Sequence, residues 1–373
     1  MDLSADKYDD ARRCIGEGRA DDRRTTAQRI CAAVLVATGG GLAGSAGAET
    51  TLTIATYSAP LSRDGPGLLL RDIIAGTDEQ IAAIVHVISS VSPDVLVLTD
   101  FDYDLDGLAL AAFAENFAPP YSFTIAPLPN SGMATGLDMD GNGRLGEARD
   151  AQGYGRFAGD GGIAILSRFP ILTDQVRDFS EMLWRDLPEA ELPETDAGPF
   201  PSAKVQDSQR LSSSSHLVVP IEVAAGLRLD LLTFAATPPV FDGPEDLNGL
   251  RNRDELRFWT HLLNGHWEGV GTHFLLAGLT NLDPHAGEGF RDEMETFLLD
   301  ARLNDPLAGI ATAKWPERGL PPMRVSYVLP STAWRVVDAG VVWPDPATPL
   351  GQILGPDGAA AGPHRLVWTT VAQ

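Results

Sequence analysis

Residues 93–104 have the sequence Pro-Asp-Val-Leu-Val-Leu-Thr-Asp-Phe-Asp-Tyr-Asp, an apolar run followed by acidic residues at alternate positions. An apolar run without polar alternation is typical of a strand that is buried on both faces. A first strand is predicted at Thr51–Tyr57, and an amphipathic helix over Asp78–Val91 lies between the two, capped by Thr77 or Asp78. This β-α-β order predicts a sheet with parallel strands and a covering helix.

The rest of the chain continues the alternation of apolar strands and helical segments. Further strands are predicted at 162–167, 217–223, 227–234, 273–277, 324–329 and 365–368, and a helix at 251–263. Residues 224–226 separate two strongly alternating strands and predict a hairpin. Many strands with few helices in one unit favour two sheets packed face to face with helices outside.

The composition is that of a globular protein with a large acidic excess. The 373 residues include 28 Lys+Arg and 51 Asp+Glu, for a formal net charge of −23. A surface that binds nucleic acid needs clustered positive charge, so this balance disfavours nucleic-acid binding. Both cysteines, Cys14 and Cys31, lie near the N-terminus, so from residue 49 onward disulfides, cysteine-ligated zinc and a thiol nucleophile are excluded.

The N-terminal segment has the order of a secretory signal peptide. Arg23, Arg24 and Arg29 precede a short apolar run, and the segment ends Ala46-Gly47-Ala48. We therefore predict a polar leader plus signal peptide at residues 1–48, a mature domain at residues 49–373, and a periplasmic or secreted location. Sec and twin-arginine export both stay open. The run is too short to span a bilayer, and no transmembrane segment is predicted.

Five sets of segments, taken in order, carry a further pattern. They are residues 54–58 with 69–72, 93–104, 237–246 leading to 251–252, 276–284, and 324–331 with 364–368. Their combination resembles the endonuclease/exonuclease/phosphatase superfamily, particularly its secreted bacterial branch. The resemblance implies an α/β, deoxyribonuclease-like fold: a four-layer sandwich of two packed mixed β-sheets flanked by helices. It also implies metal-dependent phosphoester hydrolysis, in which an Asp/His arrangement activates water and a carboxylate-held divalent cation stabilises the phosphate charge.

The chain departs from this pattern at most positions where the family has reactive groups. Three family residues or close substitutes remain, namely Asp100 for a metal-binding Glu, Asn281, and His364. The substituted positions are Ser58 for Asn, Ala235 in the segment that should offer a His, Leu279 for Asp, Ser326 for Asp, and Pro363 for Asp. Leu279 cannot accept a proton, and a histidine base needs a partner to orient its imidazole.

These substitutions predict a catalytically impaired domain with a binding or structural role. The alternative is an active phosphoesterase acting on a small or lipid phosphoester, with Mg²⁺ or Mn²⁺ at Asp100 and with Asp100, Asn281 and His364 carrying the reaction. A sugar- or protein-binding module is a third possibility. The ligand, the partner and the oligomeric state stay open.

Four residues are candidates for substrate binding. Arg210 and His216 flank a polar loop that could line a phosphate pocket, and Arg251 and Asn252 begin the predicted helix. The alternatives are an ordinary polar loop before a strand and a solvated helix face with salt bridges.

Residues 138–150 resemble the start of an EF-hand-type calcium loop. Oxygen donors stand at alternate positions, with Gly143 at the sixth. The predicted ligands are Asp138, Asp140, Asn142, the carbonyl of Arg144, and Asp150 or Glu147 to close the shell. The alternative is a solvated Gly/Asp turn. A structural Ca²⁺ is therefore the expected cofactor.

Overall fold

The computed structural model describes residues 51–373, which contain two β-sheets and one short two-stranded ribbon. The strands, in chain order, are β1 Thr51–Tyr57, β2 Val95–Phe101, β3 Phe123–Ile125, β4 Gly162–Ser167, β5 Arg177–Asp178, β6 Glu194–Thr195, β7 Gly198–Pro199, β8 His216–Ala224, β9 Leu227–Phe234, β10 Phe274–Leu279, β11 Ser326–Pro330, β12 Arg335–Val341 and β13 Val367–Ala372. The α-helices are α1 Leu68–Ala75, α2 Glu79–Val91, α3 Leu108–Ala114, α4 Ala203–Gln206, α5 Leu247–Leu263, α6 Arg291–Leu298 and α7 Pro349–Leu354.

Both large sheets are mixed. The first has the order β12-β13-β1-β2-β4-β3, and the second has the order β11-β10-β9-β8-β5. In the first sheet β1 and β2 are parallel, and in the second β9 and β10 are parallel. Because each parallel pair needs a crossover connection, helices must cover the outer faces. The β-α-β unit predicted from residues 51–99 is therefore confirmed.

Three apolar clusters separate four layers. The first fills the space between the sheets, with Ile54 and Val97 facing Leu231 and Leu275. The second joins the outer face of the first sheet to α1, α2 and α3, and the third joins the outer face of the second sheet to α5 and α6. The predicted sandwich of two sheets flanked by helices is confirmed.

The strand boundaries follow the sequence pattern closely in the middle of the sheets and less closely at the edges. β8 and β9 form the predicted hairpin, with Ala224 opposite Leu227 and Gly226 at a φ of 77° in the two-residue turn. The strand predicted at 365–368 is displaced, because Arg365 donates its backbone N–H to Thr312 and pairing with β1 continues to Ala372. Helix α5 begins at Leu247, four residues before the predicted start.

The predicted leader and signal peptide at residues 1–48 lie outside the described residues. None of the helices between residues 51 and 373 combines the length and the apolar character that crossing a bilayer requires.

The close approach of β9 and β10 makes a testable demand on Gly278. A Cβ atom added there would lie 2.4 Å from the backbone oxygen of Phe234, which cannot move without distorting β9. We expect Gly278→Ala to lower the free energy of unfolding by about 1–3 kcal/mol, measured by urea denaturation. Gly269→Ala is the matched control, since a Cβ added at Gly269 meets open space. Equal stability of the two variants would contradict this packing.

Candidate functional site

Asn281 and His364 lie together at the edge where the two sheets end. Both line a cavity of about 350 Å³, which we call the His364 cavity, together with Trp315 and Met323. Asn281 follows β10 with a φ of 53°, and its Nδ2 donates to the carbonyl of Ala236 at 2.7 Å. The structure thus brings together two of the three residues that the sequence pattern preserves.

The imidazole of His364 lacks the partner that a base would use. Its Nδ1 is buried and has no hydrogen-bond partner among the described residues, and its ring meets the Trp315 ring edge-on at 5.3 Å. Burial, together with the smaller effect of the Arg365 charge, lowers the pKa of His364 to about 4. At neutral pH the ring is therefore uncharged and weakly basic.

The side chains at the family's other reactive positions are apolar or have no hydrogen-bond partner among the described residues. Ala235 and Leu279 form a backbone bridge between the ends of β9 and β10, and both side chains are buried. Ser326 is also buried, and its hydroxyl has no partner among the residues described. Pro363 offers only its carbonyl, which accepts from the backbone N–H of Lys314. The side chains of Ala235, Leu279 and Pro363 have no group that can transfer a proton, and the Ser326 hydroxyl has none of the basicity of a carboxylate.

Asp100 lies at the end of β2, beside the segment that follows β1. Leu61 pairs with Phe101 there, and the Asp100 carboxylate bonds with Ser62 and lies against Gly161. Burial, with smaller effects of the Asp102 and Asp160 charges, raises the pKa of Asp100 to about 7 against the lowering effect of the Ser62 hydrogen bond. Asp100 is not among the residues that line the cavity.

The neighbouring carboxylates of Asp100 hold backbone in place. Asp102 accepts the N–H groups of Arg63 at 2.8 Å and Gly161 at 3.1 Å, and it is buried rather than part of a polar loop surface. Asp160 accepts the N–H and the Nε of Arg156. In the described part of the chain, the grouping of three carboxylates whose oxygens converge does not include Asp100. Asp102 and Asp160 are thus already held by N–H groups, and a magnesium ion at Asp100 stays a prediction.

Comparison with known proteins identifies the family of the chain. The model of the endonuclease/exonuclease/phosphatase family matches residues 71–353. The chain belongs to this family. No curated protein sequence matches it.

Solved structures with this fold come from several organisms. An endonuclease/exonuclease/phosphatase from Beutenbergia cavernae has a TM-score of 0.53 and 19% identity, covering 87% of this chain and 72% of its own. Sphingomyelinase C from Streptomyces griseocarneus has a TM-score of 0.45 and 14% identity over 87% of this chain and 99% of its own. An AP endonuclease from Archaeoglobus fulgidus has a TM-score of 0.46 and 14% identity, over 85% of this chain and 98% of its own. At 19% identity, the similarity to the Beutenbergia cavernae structure shows a shared fold alone.

In this family member, the residues predicted to bind substrate are mostly built into the scaffold. His216 is fully buried, with Nδ1 at 2.6 Å from the hydroxyl of Ser212 and Nε2 at 2.9 Å from the carbonyl of Glu255. Asn252 is buried and donates to the carbonyls of Thr237 and Thr280. Both side chains are bonded within the protein and neither lines the His364 cavity, so their role in substrate binding stays a prediction.

Arg210 and Arg251 differ in their burial and in their hydrogen-bond partners. Arg210 bonds with Asn130 and Glu181 and is partly buried. Arg251 is buried and holds the carbonyls of four residues through Nε and Nη2, while also lining a second cavity. Neither arginine lines the His364 cavity. The helix face that carries Arg253 and Arg257 is a network of ion pairs with Glu191, Asp254 and Glu293 rather than a cleft.

Glu255 is a functional-looking group that the sequence pattern did not single out. Its carboxylate accepts the N–H and hydroxyl of Ser213, at 2.6 and 2.8 Å, and the N–H of Thr237 at 2.7 Å. Burial raises its pKa to about 7, against the lowering effect of Arg251 and of these bonds. Only its place in the interior of α5 distinguishes it from a surface glutamate.

This raised pKa predicts how stability depends on pH. The folded protein holds the proton of Glu255 more tightly than the unfolded chain, so its contribution is fully present below the ordinary pKa near 4.5 and is lost as pH rises through about 7. As the pH rises from 5 to 8, the native chain loses the stabilisation from its buried proton and Glu255→Gln does not. We therefore expect the free energy of unfolding of Glu255→Gln to rise by about 2 kcal/mol relative to that of the native chain over this range. Urea unfolding across this range measures it, with the exposed Glu194→Gln as control. Parallel pH curves for Glu255→Gln and the native chain would contradict the buried-proton account.

The predicted calcium loop brings three carboxylates together. Oxygens of Asp138, Asp140 and Asp150 lie within 4.8 Å of one another. Asp150, rather than Glu147, supplies the third, and it also accepts the N–H groups of Met139 and Glu147. Hard carboxylate oxygens are the ligands that Ca²⁺ prefers.

The predicted ligand Asn142 is used within the loop. The side-chain oxygen of Asn142 accepts the backbone N–H of Arg144 at 2.8 Å, and its amide nitrogen donates to Asp140 and Glu147. The donor types therefore fit calcium, and its binding stays a prediction.

Calcium binding to this loop would raise the melting temperature. A ligand at about 100 times its Kd stabilises the folded state by about 2.7 kcal/mol, which we expect to see as a Tm several degrees higher in calcium than in EDTA. Asp138→Asn combined with Asp140→Asn should remove most of the rise, while the exposed Asp196→Asn should keep it. A rise that persists in the double variant would contradict binding at this loop.

Proposed function

We propose that this domain keeps the scaffold of its family, has lost phosphoester hydrolysis, and serves a binding or structural role outside the cytoplasm. The single observation that carries the proposal is the state of His364. A general base is effective when a partner orients it and its pKa lies near the working pH. His364 has a buried Nδ1 without a partner among the described residues and a pKa near 4.

The metal position gives a second line of support. Phosphoester hydrolysis in this fold would need a divalent cation beside the reacting phosphate. Asp100 is hydrogen-bonded to Ser62 and is not among the residues that line the His364 cavity. The nearby Asp102 and Asp160 accept backbone N–H groups, which leaves Asp100 as a weak site for a hard cation.

The location outside the cytoplasm rests on the sequence. The positively charged segment, short apolar run and Ala-Gly-Ala ending at residues 23–48 support export. The absence of cysteine from residue 49 onward suits an oxidising compartment.

The alternative is an active phosphoesterase that uses Mg²⁺ or Mn²⁺ and cleaves a small or lipid phosphoester. One observation favours it, namely that Asn281 and His364 line the same cavity. On this alternative Asp100 would hold the cation, and His364 would contact the phosphate.

A phosphodiesterase assay separates the two. We expect the purified domain to hydrolyse bis(p-nitrophenyl) phosphate, with Mg²⁺, Mn²⁺ or Ca²⁺ present, no faster than His364→Ala does. His86→Ala is the matched control, because His86 is exposed on α2. Turnover that disappears in His364→Ala and persists in His86→Ala would establish the enzyme and refute the loss of hydrolysis.

A further inference from the structure

A second and larger cavity lies beside the calcium-type loop. Its volume is about 660 Å³, within the range of small-molecule sites. We call it the Tyr154 cavity. The Pro238–Phe241 segment borders both cavities, while the family's reactive positions Asn281 and His364 line only the first. The Tyr154 cavity therefore contains neither of these two residues.

The floor of this cavity carries two buried polar side chains with capacity to spare. Gln209 is 3% exposed, and its Oε1 has no partner among the described residues. Arg251 is 6% exposed, and its four bonds to carbonyls use Nε and Nη2, so that Nη1 takes no part in them. An acceptor buried without a partner costs about 1–3 kcal/mol. A ligand group that both donates and accepts would recover that cost.

The rim carries two exposed aromatic rings. Tyr154 is 69% exposed and Phe241 is 62% exposed. Phe241 also has a φ of 73°, a conformation that is rare for a bulky residue. Strained backbone of this kind concentrates at binding sites. The two rings offer faces for the C–H surface of a ligand at the mouth of the cavity, and Arg318 lies over the Phe241 ring at 5.8 Å.

The walls carry charge of both signs. Asp242 and Glu245 each use one oxygen to accept a loop N–H, from Asn248 and Gly243, and keep the other oxygen. Asp140 and Arg149 also line the cavity, and Nη1 of Arg149 lies 3.8 Å from Oδ2 of Asp140. These carboxylates would repel a phosphate, and Arg149 together with the buried Arg251 would repel a cation.

We propose that the Tyr154 cavity binds a neutral carbohydrate, with a ring stacked at Tyr154 and Phe241 and hydroxyl groups bonded to Gln209 and Arg251 on the floor. Sugar hydroxyls donate and accept together, which matches a floor that offers one acceptor and one donor. Their lack of charge suits walls in which carboxylates and arginines are mixed.

Isothermal titration of the mature chain, in buffer with calcium, tests this proposal. The probes are neutral mono- and disaccharides (glucose, galactose, mannose, N-acetylglucosamine, maltose and cellobiose), with inorganic phosphate and tetramethylammonium as the anionic and cationic alternatives. We expect at least one sugar to bind, and Tyr154→Ala to bind it about tenfold more weakly. Tyr154→Phe should keep most of the affinity, because it keeps the ring.

Two further variants separate binding from folding. Gln209→Met keeps the side-chain length and removes the amide, and we expect a similar loss of affinity at a Tm that is not lowered, because the buried acceptor without a partner is removed. Leu105→Ala is the control, since Leu105 is 85% exposed and does not line the cavity. The proposal is overturned if none of the sugars binds, if Tyr154→Ala and Gln209→Met leave the affinity unchanged, or if phosphate or tetramethylammonium binds there instead. None of these outcomes depends on whether the His364 cavity hydrolyses phosphodiesters.

Discussion

The architecture around both cavities depends on the buried polar face of α5. Glu255 holds the backbone at Ser213 and Thr237, Arg251 holds carbonyls before β8, and Asn252 joins Thr237 to Thr280. One helix thus fixes the loops that follow β9 and β10 and the loop that precedes β8. Removing any member would leave a buried charge or amide unpaired, so these loops are held rigidly.

The buried polar face of α5 explains how the scaffold can persist while the reactive groups change. The backbone at the sheet edge is held from α5, through contacts that involve neither Leu279 nor His364. Substitution of an acid by Leu279 costs little stability there, because its side chain joins the apolar layer between the sheets. Stability and hydrolysis are carried by different residues, and the second can be lost while the first is retained.

The sequence predicted the layers better than the sites. Continuous or alternating apolar runs identified β1, β2, β4, β8 and β9, because burial imposes those patterns directly. Strand β12 was missed since it lies at a sheet edge, where its exposed and half-buried side chains show no alternation. Among site residues, the pairing of Asn281 with His364 followed from the family pattern. The surroundings of Asp100 did not follow from the family pattern, because they depend on how the segment after β1 folds over this residue. Gln209 and Glu255 gave no sequence signal, since only burial makes an ordinary amide or carboxylate significant.

The central claim is that the hydrolytic centre is not assembled, and the position of a bound cation tests it most directly. An anomalous difference map from a crystal of the mature chain grown with Mn²⁺ would locate every ordered manganese ion. The account predicts no peak at Asp100, whatever occupies the loop of Asp138, Asp140 and Asp150. A manganese ion bound by Asp100 and facing Asn281 and His364 would contradict it.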